Sequence, residues 1–358
     1  MRTVHVVVPA GFADPARVSG GNRYDQQVCA GLRQAGWAVT EIPAPGSWPR
    51  PDAAALDALD RSLDGVGDDA LVLVDGLIAS AAGRVLVPRS GRLRLVVLVH
   101  MVFGGDAVPA EEERTVLAAA RAVVATSDWT RCRLLDRYRL SPDRVHVAAP
   151  GTEPAPVSRG TADGGRLLCV GTLAPHKGQD VLLAALSLLP HELRWHCTLV
   201  GPVDRDPPFA ASLLHRARGS ADRLRITGPL TGAALQEEYR TADLLIVPSR
   251  AETYGMVVTE ALATCLPVIA SRVGGVPEAL GDTEHGLPGV LVPVGDAAAL
   301  AAALARGLTD GGRRARLRRA ARRRRETLPD WRTTSSLIDT VLTAVPAEPP
   351  ALRLRREQ

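Results

Sequence analysis

Short apolar runs, each followed by turn residues and an amphipathic stretch, recur through the first half of the chain. These runs are Val4–Val8, Leu71–Val74, Leu93–Val99, Val123–Ala125 and Val145–Ala148. Short continuous apolar runs bounded by turn signals are typical of strands that are buried on both faces, as in parallel sheets covered by helices. We therefore expect a parallel α/β sheet in this half of the chain.

A segment rich in Pro, Gly, Ser and Thr follows at residues 150–165, and the pattern then starts again. The second set of runs is Leu167–Val170, Trp195–Val200, Leu224–Thr227, Leu244–Val247 and Pro267–Ala270. A length of 358 residues also favours two domains over one. We predict two doubly wound, Rossmann-like domains, residues 1–155 and 156–330, hinged near residue 155. Ligands of such sheets bind beyond the carboxyl ends of the strands, which we expect to face each other across a central cleft.

The end of the chain carries two further patterns. Arg313 to Arg325 contains nine arginines, typical either of a patch that binds an anionic membrane or of a solvated helix. Its apolar face is weak, so we favour the solvated helix and only allow for peripheral membrane contact. Residues 331–358 are predicted to be a C-terminal helix, helical in pattern through Leu342, that packs back on the first domain and frays from Pro346.

Composition narrows the class of protein. The net charge is +4, but aromatic residues make up only 3%, which leaves few rings for base stacking and disfavours nucleic acid as a partner. The five cysteines lack metal-ligand spacing, and four lie in apolar runs, which indicates reduced core residues. The N-terminus lacks the pattern of a signal peptide and no run is long enough for a membrane span, so we expect a cytoplasmic protein.

The basic residues are unusual because 42 of the 43 are arginine and only Lys177 is lysine. Lysine is a compact point charge, whereas arginine is a broad planar fork, so a site between phosphate oxygens can require lysine. Codon bias with one accidental lysine explains the composition equally well. Position has to decide between the two interpretations.

Lys177 lies in the segment 170–178, directly after a predicted strand and before the helical pattern 180–189. Helix N-termini carry unpaired N–H groups and bind anions. A second strand-to-helix turn, residues 248–255, repeats this arrangement. Glu252 and Glu260 enclose seven residues around that turn, so one carboxylate lies in the loop and the other about two turns into the helix. One could contact a sugar and the other a ribose, but for a pair at this spacing taken alone we favour a structural interpretation, in which Glu252 caps the helix and Glu260 is solvated.

Together these segments resemble the family 4 retaining glycosyltransferases of the GT-B fold, over nearly the whole chain. The segments that carry the resemblance are Ser19-Gly20-Gly21, Ala125 to Trp129, Ala149 to Thr152, Gly171 to Gly178, Ala242-Asp243, Pro248-Ser249, Glu252 to Glu260, Leu266 to Ala270, and Gly274 to Glu278. Each is weak alone, but their order and spacing are specific.

The resemblance implies a role for each matching position. Glu252 contacts the transferred sugar, Glu260 the ribose hydroxyls, and Lys177 the diphosphate of a nucleoside-diphosphate sugar. His100 lies near the donor sugar, although a histidine satisfied under a loop has the same pattern. The remaining donor- and acceptor-side positions that the resemblance implies are the main chain at Thr253, Tyr254, Gly255 and Met256, the glycines Gly20 and Gly21, Thr172, and, on the acceptor side, Asn22 and Tyr24.

The chain departs from the family pattern at two positions. Thr172 and Leu173 stand where many members have an arginine, and His176, Arg250 or Arg272 could replace that phosphate-binding cation. Cys265 occupies a position where the family usually has glycine.

The resemblance also implies the reaction. We expect a retaining hexosyltransferase that uses no cofactor and no metal, since no Asp-x-Asp appears in the pattern of a metal-dependent transferase. The acceptor is a small molecule, glycan or lipid. The alternatives are a GT-B epimerase or phosphorylase, and a nucleotide-sugar-binding protein without activity. A nicotinamide dehydrogenase is disfavoured because Pro9-Ala10-Gly11 replaces GxGxxG after the first strand.

Overall fold

The computed structural model describes residues 2–14, 19–104, 108–220 and 222–346. Within these residues the chain divides into two compact units. The first unit contains the described residues up to 150 and those from 331 onward, and the second contains the described residues of 151–330. The boundary therefore falls at Pro150, slightly before the predicted hinge at residue 155.

The first unit is built on a parallel sheet of six strands covered by helices. Its strands are β1 (Arg2–Pro9), β2 (Trp37–Ala44), β3 (Leu71–Asp75), β4 (Arg94–Val99), β5 (Ala122–Ala125) and β6 (Val145–Val147). Its first helices are α1 (Gly20–Gln34), α2 (Ala53–Asp64), α3 (Gly76–Ala81), α4 (Gly83–Leu86), α5 (Ala110–Ala119) and α6 (Asp128–Tyr138). The strand order is β2-β1-β3-β4-β5-β6, with every neighbouring pair parallel.

The five apolar runs in the first half of the sequence form strands of this sheet. None of these runs predicted β2. The strands β3 and β5 are buried along their whole length, so their sequences are continuous apolar runs. The strand β2 is at the sheet edge and is buried only at its two ends. It contains Thr40, Glu41 and Pro43, and these residues interrupt the apolar pattern.

The second unit repeats the plan with its own six-stranded parallel sheet. Its strands are β7 (Arg166–Val170), β8 (His196–Val200), β9 (Leu224–Ile226), β10 (Leu244–Val247), β11 (Val268–Ser271) and β12 (Gly289–Val292). Its helices are α7 (Gln179–Ser187), α8 (Pro207–Ala217), α9 (Gly232–Thr241), α10 (Met256–Ala263), α11 (Val276–Leu280), α12 (Ala297–Thr309) and α13 (Gly311–Glu326). The strand order is β12-β11-β10-β7-β8-β9, and every neighbouring pair is parallel. The sequence pattern missed β12, which is again an edge strand.

The last helix, α14 (Trp331–Ala344), belongs to the first unit and packs against α1. The Trp331 ring meets the Tyr24 ring edge-on, with 5.6 Å between centroids. The Trp37 indole donates a hydrogen bond of 2.7 Å to Asp339, and the Thr334 hydroxyl donates one of 2.8 Å to the carbonyl of Ala149. The fraying predicted from Pro346 concerns residues that lie outside the described range.

The arginine-rich segment forms α13, and only part of it is a solvated face. Arg314 donates to the carbonyls of Gly307 and Leu308 at the end of α12, and Arg324 donates to Leu280 and Ala279 at the end of α11. Cations that cap the C-terminal carbonyls of helices stabilise them. The prediction of a solvated helix was therefore wrong for these two, which bind the C-termini of neighbouring helices, and for Arg325, which donates to the carbonyl of Ala155 at 2.9 Å. It was correct for the exposed arginines Arg316, Arg319, Arg322 and Arg323.

Cys265 stands at the position where the resemblance implies a glycine. It has φ of 60° and lies in the left-handed region, which glycine adopts without steric cost. Its side chain is buried. The backbone conformation at this position is therefore one that glycine adopts readily.

No helix among the described residues is long and apolar enough to cross a membrane.

Candidate functional site

The turns after β7 and β10 lie side by side at the carboxyl edge of the second sheet. The two strands are neighbours in parallel register, with Leu244 opposite Leu167, so their following loops leave the sheet at the same edge. Lys177 lies in the first loop, at the end of a short 3-10 turn, and Glu252 lies in the second. The topology thus brings together two residues that are 75 positions apart in sequence.

Gly178 lets the two loops come close. It has φ of 69°, and a Cβ atom at this position would lie 2.1 Å from the carbonyl oxygen of Pro248. The backbone N–H of Arg250 donates to the carbonyl of His176 at 2.7 Å. A residue with a side chain at position 178 would separate the loops, because a real Cβ cannot occupy that position.

An ion pair joins the same two loops at the surface. The Arg250 guanidinium donates to both oxygens of Asp180, at 2.8 and 2.7 Å, and to the carbonyl of Pro175 at 2.7 Å. The bidentate geometry is the strong form of an arginine–carboxylate pair. It lowers the pKa of Asp180 below its usual value through the hydrogen bonds from Arg250.

Lys177 and Glu252 are in direct contact at the centre of this edge. The Lys177 ammonium donates to Glu252 Oε1 at 2.7 Å, and the hydroxyl of Ser249 donates to the same oxygen at 2.9 Å. The Glu252 side chain is 10% exposed and the Lys177 side chain 26% exposed. Both groups can therefore reach a ligand at the sheet edge while they hold each other in place.

The helix α10 begins at Met256, four residues after Glu252, and its N-cap residue makes no side-chain capping bond. This N-cap is Gly255, with φ of 93° and no side chain that could cap the first turn. Tyr254 is buried, and Thr253 and Met256 are half-buried. The predicted contribution of these four positions therefore falls to the main chain, as expected of an anion site at a helix N-terminus.

Two glycines in the loop after β11 pack closely against the backbone of the turn that contains Glu252. A Cβ on Gly274 would lie 1.6 Å from the carbonyl oxygen of Glu252, and one on Gly275 would lie 2.3 Å from that of Thr253. The N–H of Gly275 donates to the Glu252 carbonyl at 3.2 Å. These contacts give a physical reason for the Gly-Gly pair, which the sequence analysis noted only as part of a resemblance.

Glu260 lies on α10 and is held by a different residue. The hydroxyl of Tyr239, from α9, donates to Glu260 Oε2 at 2.8 Å. The Tyr239 side chain is buried and the glutamate half-buried. The two glutamates are thus oriented by separate partners, Ser249 with Lys177 for one and Tyr239 for the other. Sequence reasoning missed both Ser249 and Tyr239 as partners.

Thr172 and Leu173 stand where the resemblance implies an arginine, and the structure places Thr172 in the loop and Leu173 in the core. Leu173 is fully buried, and the carbonyl of half-buried Thr172 accepts a hydrogen bond of 2.9 Å from Gln179. Burial and the charge of Lys177 lower the pKa of His176, so its imidazole is neutral at pH 7. Arg250 is engaged by Asp180. Of the three predicted replacements, exposed Arg272 is the one left with its charge available at this edge.

The sequence does contain one Asp-x-Asp triplet, Asp204-Arg205-Asp206, in the loop after β8. The carboxylate of Asp206 accepts a hydrogen bond of 3.0 Å from the N–H of Phe209 and caps α8. This is an ordinary N-cap function. The triplet thus has a local structural explanation.

In the first unit, the predicted residues Gly20 and Gly21 form the first turn of α1 rather than a loop. The Ser19 hydroxyl caps this helix by accepting from the N–H of Asn22 at 3.0 Å. A Cβ on Gly21 would lie 3.5 Å from the His100 ring, an ordinary contact distance. Gly21 and His100 are therefore neighbours at the carboxyl edge of this sheet.

Tyr24 lies in the core rather than at the acceptor side. Its ring is almost fully buried between His100 and Trp331, and its hydroxyl donates to the carbonyl of Ala148 at 2.8 Å. Asn22 is half-buried near the start of α1. The expected acceptor-side role of Tyr24 is thus wrong for its side chain.

Two buried aspartates beside His100 were missed by sequence reasoning. His100 Nε2 lies 2.8 Å from Asp25 Oδ1 and 3.7 Å from Asp75 Oδ2. Burial raises the pKa of Asp25 to about 7 and raises the pKa of Asp75 well above its usual value, while it lowers the pKa of His100. The sequence signal was available, because Asp75 directly ends the apolar run of β3 and Asp25 lies one turn after Gly21 on α1.

Comparison with known proteins gives the family context of these observations. Residues 159–324 match the family model described as "Glycosyl transferases group 1". The D-inositol 3-phosphate glycosyltransferase of Salinispora tropica is 35% identical over 258 residues, which are 65% of this chain and 53% of that protein. D-inositol 3-phosphate glycosyltransferase 1 of Catenulispora acidiphila is 33% identical over 271 residues, 69% of this chain and 64% of that protein. The matches thus span about half to two thirds of these relatives' length.

Solved structures resemble nearly the whole chain. Sucrose-phosphate synthase from Thermosynechococcus elongatus has a TM-score of 0.77 at 22% identity, over 96% of this chain and 98% of that chain. Anabaena HepE in complex with UDP-glucose has a TM-score of 0.75 at 17% identity, over 96% of this chain and 100% of that chain. These likenesses concern the fold, and they confirm the predicted two-domain α/β fold class of the GT-B type.

Proposed function

Because residues 159–324 belong to the group 1 glycosyltransferases, we propose that this chain is a retaining, metal-independent hexosyltransferase. It moves a hexose from a nucleoside-diphosphate sugar to the hydroxyl group of an acceptor. The acceptor is a small molecule, a glycan or a lipid, and no cofactor takes part.

The observation that carries this proposal is the contact between Lys177 and Glu252 at 2.7 Å, next to the uncapped N-terminus of α10. A cation, a carboxylate and helix amides at one edge of the sheet match a sugar diphosphate, which consists of a sugar and two phosphates. The ammonium and the amides attract the phosphates, and the carboxylate accepts hydrogen bonds from sugar hydroxyls. In this proposal a sugar bound by Glu252 has its bond to the phosphate next to the Lys177 ammonium.

The reaction breaks the bond between the anomeric carbon and the phosphate oxygen and forms a bond from that carbon to the acceptor oxygen. Negative charge develops on the departing phosphate. Lys177 and the amides at Thr253 to Met256 stabilise this charge, and preorganised donors of this kind contribute roughly 3 to 4 kcal/mol each. The acceptor proton passes to a phosphate oxygen, so that the acceptor attacks from the side that the phosphate leaves and the anomeric configuration is retained.

Glu252 orients the sugar in this mechanism and does not attack it. Its Oε1 accepts from both Lys177 and Ser249, and two donors reduce the nucleophilicity of a carboxylate oxygen. Glu260, positioned by Tyr239, binds the ribose hydroxyls. His100 and the first turn of α1 at Gly20 and Gly21 act on the sugar and acceptor from the first unit, and Thr172 borders the phosphates.

A screen of ligands by thermal shift tests donor binding directly. UDP-, GDP- and ADP-sugars are added to the intact chain, beginning with UDP-glucose because Anabaena HepE was solved with it. A donor at a hundred times its Kd stabilises the folded state by about 2.7 kcal/mol. The donor found in this way should give no shift with Lys177→Ala, and EDTA should leave the shift of the parent chain unchanged.

Transfer is then measured with that donor and a set of acceptors that begins with inositol 3-phosphate, after the names of the relatives. The anomeric coupling constant of the product in NMR reports retention or inversion. An inverted product contradicts the proposed mechanism. Stabilisation by a donor with neither transfer nor hydrolysis supports a binding protein instead, and an epimerised donor supports an epimerase.

A further inference from the structure

Three ionisable side chains from three elements of the first unit meet in its interior. Asp25 lies on α1, Asp75 ends β3 and caps α3, and His100 follows β4. The strands β3 and β4 are paired in parallel, with Asp75 opposite Leu98. The cluster is therefore fixed by the sheet and by the packing of α1, and it involves no loop outside the described residues.

The two aspartates are among the most buried ionisable groups in the described part of the chain. Each is 2% exposed, and the His100 side chain is 11% exposed. Asp25 Oδ1 contacts His100 Nε2 at 2.8 Å, and Asp75 Oδ1 accepts from the N–H of Leu77 at 2.6 Å. The other oxygen of each carboxyl, Oδ2, is buried without a conventional donor. A proton or a cation between the carboxyls satisfies these two oxygens, since the ligand atoms of the cluster lie within 4.8 Å of one another.

A proton fits the surroundings of the pair. Two carboxylates side by side in a low-dielectric interior cannot both be ionised, because neither solvent nor a full counter-charge offsets the repulsion. His100 does not supply that charge, since burial lowers the pKa of its imidazole. Oxygens of the two carboxyls lie within 4.8 Å of each other, so a proton held by one carboxyl can be donated to the other.

We propose that Asp25 and Asp75 share one proton and act as a positioning pair that holds His100 as the tautomer protonated on Nε2. Asp25 accepts from Nε2–H through Oδ1 and from the shared proton through Oδ2. Asp75 is fixed by Leu77. The imidazole therefore has Nδ1 as its acceptor nitrogen, and its ring orientation is set against Gly21.

Asparagine substitutions separate this proposal from a purely electrostatic cluster. In Asp75→Asn the amide N–H replaces the shared proton and donates to Asp25, while the amide oxygen still accepts from Leu77. In Asp25→Asn the amide oxygen accepts from His100 and the N–H donates to Asp75. In the double variant two amide N–H groups face each other, and turning either amide breaks its bond to His100 or to Leu77.

The test is a double-mutant cycle on the full chain, read by thermal melting. We expect each single asparagine variant to melt within about 4 °C of the parent chain. The double variant should lose clearly more than the sum of the single changes. A double variant that is merely additive, or single variants that no longer fold, would overturn the shared proton.

A divalent cation is the competing occupant, since the three ligand atoms lie within 4.8 Å of one another. The parent chain is therefore melted with EDTA and with added Zn²⁺ or Mn²⁺. We expect no change in either case. Stabilisation by one of these metals that is lost in Asp25→Asn would assign the cluster to a metal and overturn the proposal.

The tautomer is read from the ¹⁵N chemical shifts of the histidine rings, with His100→Gln to assign the signals. We expect Nε2 to be protonated in the parent chain and in both single variants. A signal protonated on Nδ1 would contradict the proposal. Melting and NMR need no substrate, so they stand even if the proposed transfer reaction is wrong.

The effect on transfer rests on the proposed function. Asp25→Ala, which leaves the ring without its acceptor, should lower kcat about tenfold with little change in the donor KM. Asp75→Asn should restore most of the rate that Asp75→Ala loses. Equal losses in the alanine and asparagine variants would show that the pair does not position His100.

Discussion

Lys177 Nζ lies 2.7 Å from Glu252 Oε1 across the loops that follow two neighbouring strands. The contact joins the single lysine of the chain to the first glutamate of its most specific motif. It depends on Gly178, which lets the loops approach, and on Ser249, which holds the same carboxylate oxygen. The predictions below concern these supporting residues first.

Ser249→Ala should lower kcat about tenfold. The hydroxyl donates to an ionised carboxylate at 2.9 Å, and a hydrogen bond to a charged group contributes about 1.5 kcal/mol. Steady-state kinetics should show the loss mainly in kcat, because the sugar remains bound but less well oriented. Ser187→Ala, at an exposed serine of α7, is the matched control. A Ser249→Ala enzyme with parental kcat would remove Ser249 from the site.

Arg250→Ala and Asp180→Ala should weaken donor binding to a similar extent, and the double variant should be little worse than either. The two residues act through one ion pair that holds the loops together, so their effects are coupled. The coupling is calculated as a double-mutant cycle from the donor Kd values of the parent chain, the two single variants and the double variant, measured by thermal shift or calorimetry. If Arg250 instead bound a phosphate itself, Arg250→Ala would be much more damaging than Asp180→Ala.

Arg272→Ala should raise the donor Kd independently of that pair. Its charge is the one left for the second phosphate, and a charge-assisted hydrogen bond of about 1.5 to 3 kcal/mol corresponds to roughly ten- to hundredfold. Arg216→Ala, at an exposed position of α8, controls for loss of net charge. Unchanged donor binding in Arg272→Ala would show that Lys177 and the helix amides hold the diphosphate without a second cation.

Gly178→Ala should disrupt the site far more than Gly228→Ala. Both glycines have positive φ, 69° and 74°, so both substitutions introduce a similar backbone strain of about 1 kcal/mol. Only at Gly178 does the new Cβ collide with a carbonyl oxygen, since nothing lies within 4 Å at Gly228. We expect loss of donor binding and a lower melting temperature for Gly178→Ala alone. Equal melting temperatures and donor affinities in the two variants would argue against the close approach of the loops.

Asp25 should titrate near neutral pH. Its pKa is raised from 3.8 to about 7 by burial, so the folded state binds more protons than the unfolded state between these values. The resulting stability is complete below about pH 3.8 and is lost as pH rises to about 7, with a slope of at most about 1.4 kcal/mol per pH unit. The neighbouring groups Tyr24 and Cys29 have raised pKa values and do not ionise in this range, and burial keeps the pKa of His100 lowered and that of Asp75 raised.

The measurement is a ¹³C NMR titration of the aspartate carboxyls. One carboxyl signal should titrate near pH 7 and be absent in Asp25→Asn. If every aspartate signal has completed its titration by pH 5, the buried pair does not hold a proton at neutral pH.

The sequence predicted the architecture well because fully buried parallel strands leave continuous apolar runs. It missed the edge strands β2, whose apolar pattern is interrupted, and β12, which is buried only at its two ends. Lys177, Glu252 and Glu260 could be found because their motif spacing is local. Ser249 was not identified as the partner of Glu252, although it lies three residues before it in the same loop. The contact between Asp25 and Asp75 depends on how α1 packs against the sheet, which motif spacing does not report.

The run of arginines that forms α13 predicted the environment of only some of its side chains. A run of arginines predicts a solvated face, yet Arg314 and Arg324 cap neighbouring helices, and nothing local in the sequence distinguishes them from the outer arginines. For Asp206, by contrast, the neighbouring sequence does indicate the structural role of the residue. Its Asp-x-Asp context suggests a metal site, but its position just before Pro207 is that of an N-cap.

The role of Lys177 is tested most directly by the transfer rate of Lys177→Arg, measured with the donor identified by thermal shift. We expect this variant to melt like the parent chain and to lose about a hundredfold or more in kcat/KM, because a planar guanidinium cannot fit between Glu252 and the phosphates as a compact ammonium does. Arg306→Lys on the surface of α12 controls for the exchange itself. Parental activity in a folded Lys177→Arg chain would show that the site does not require a compact cation at position 177.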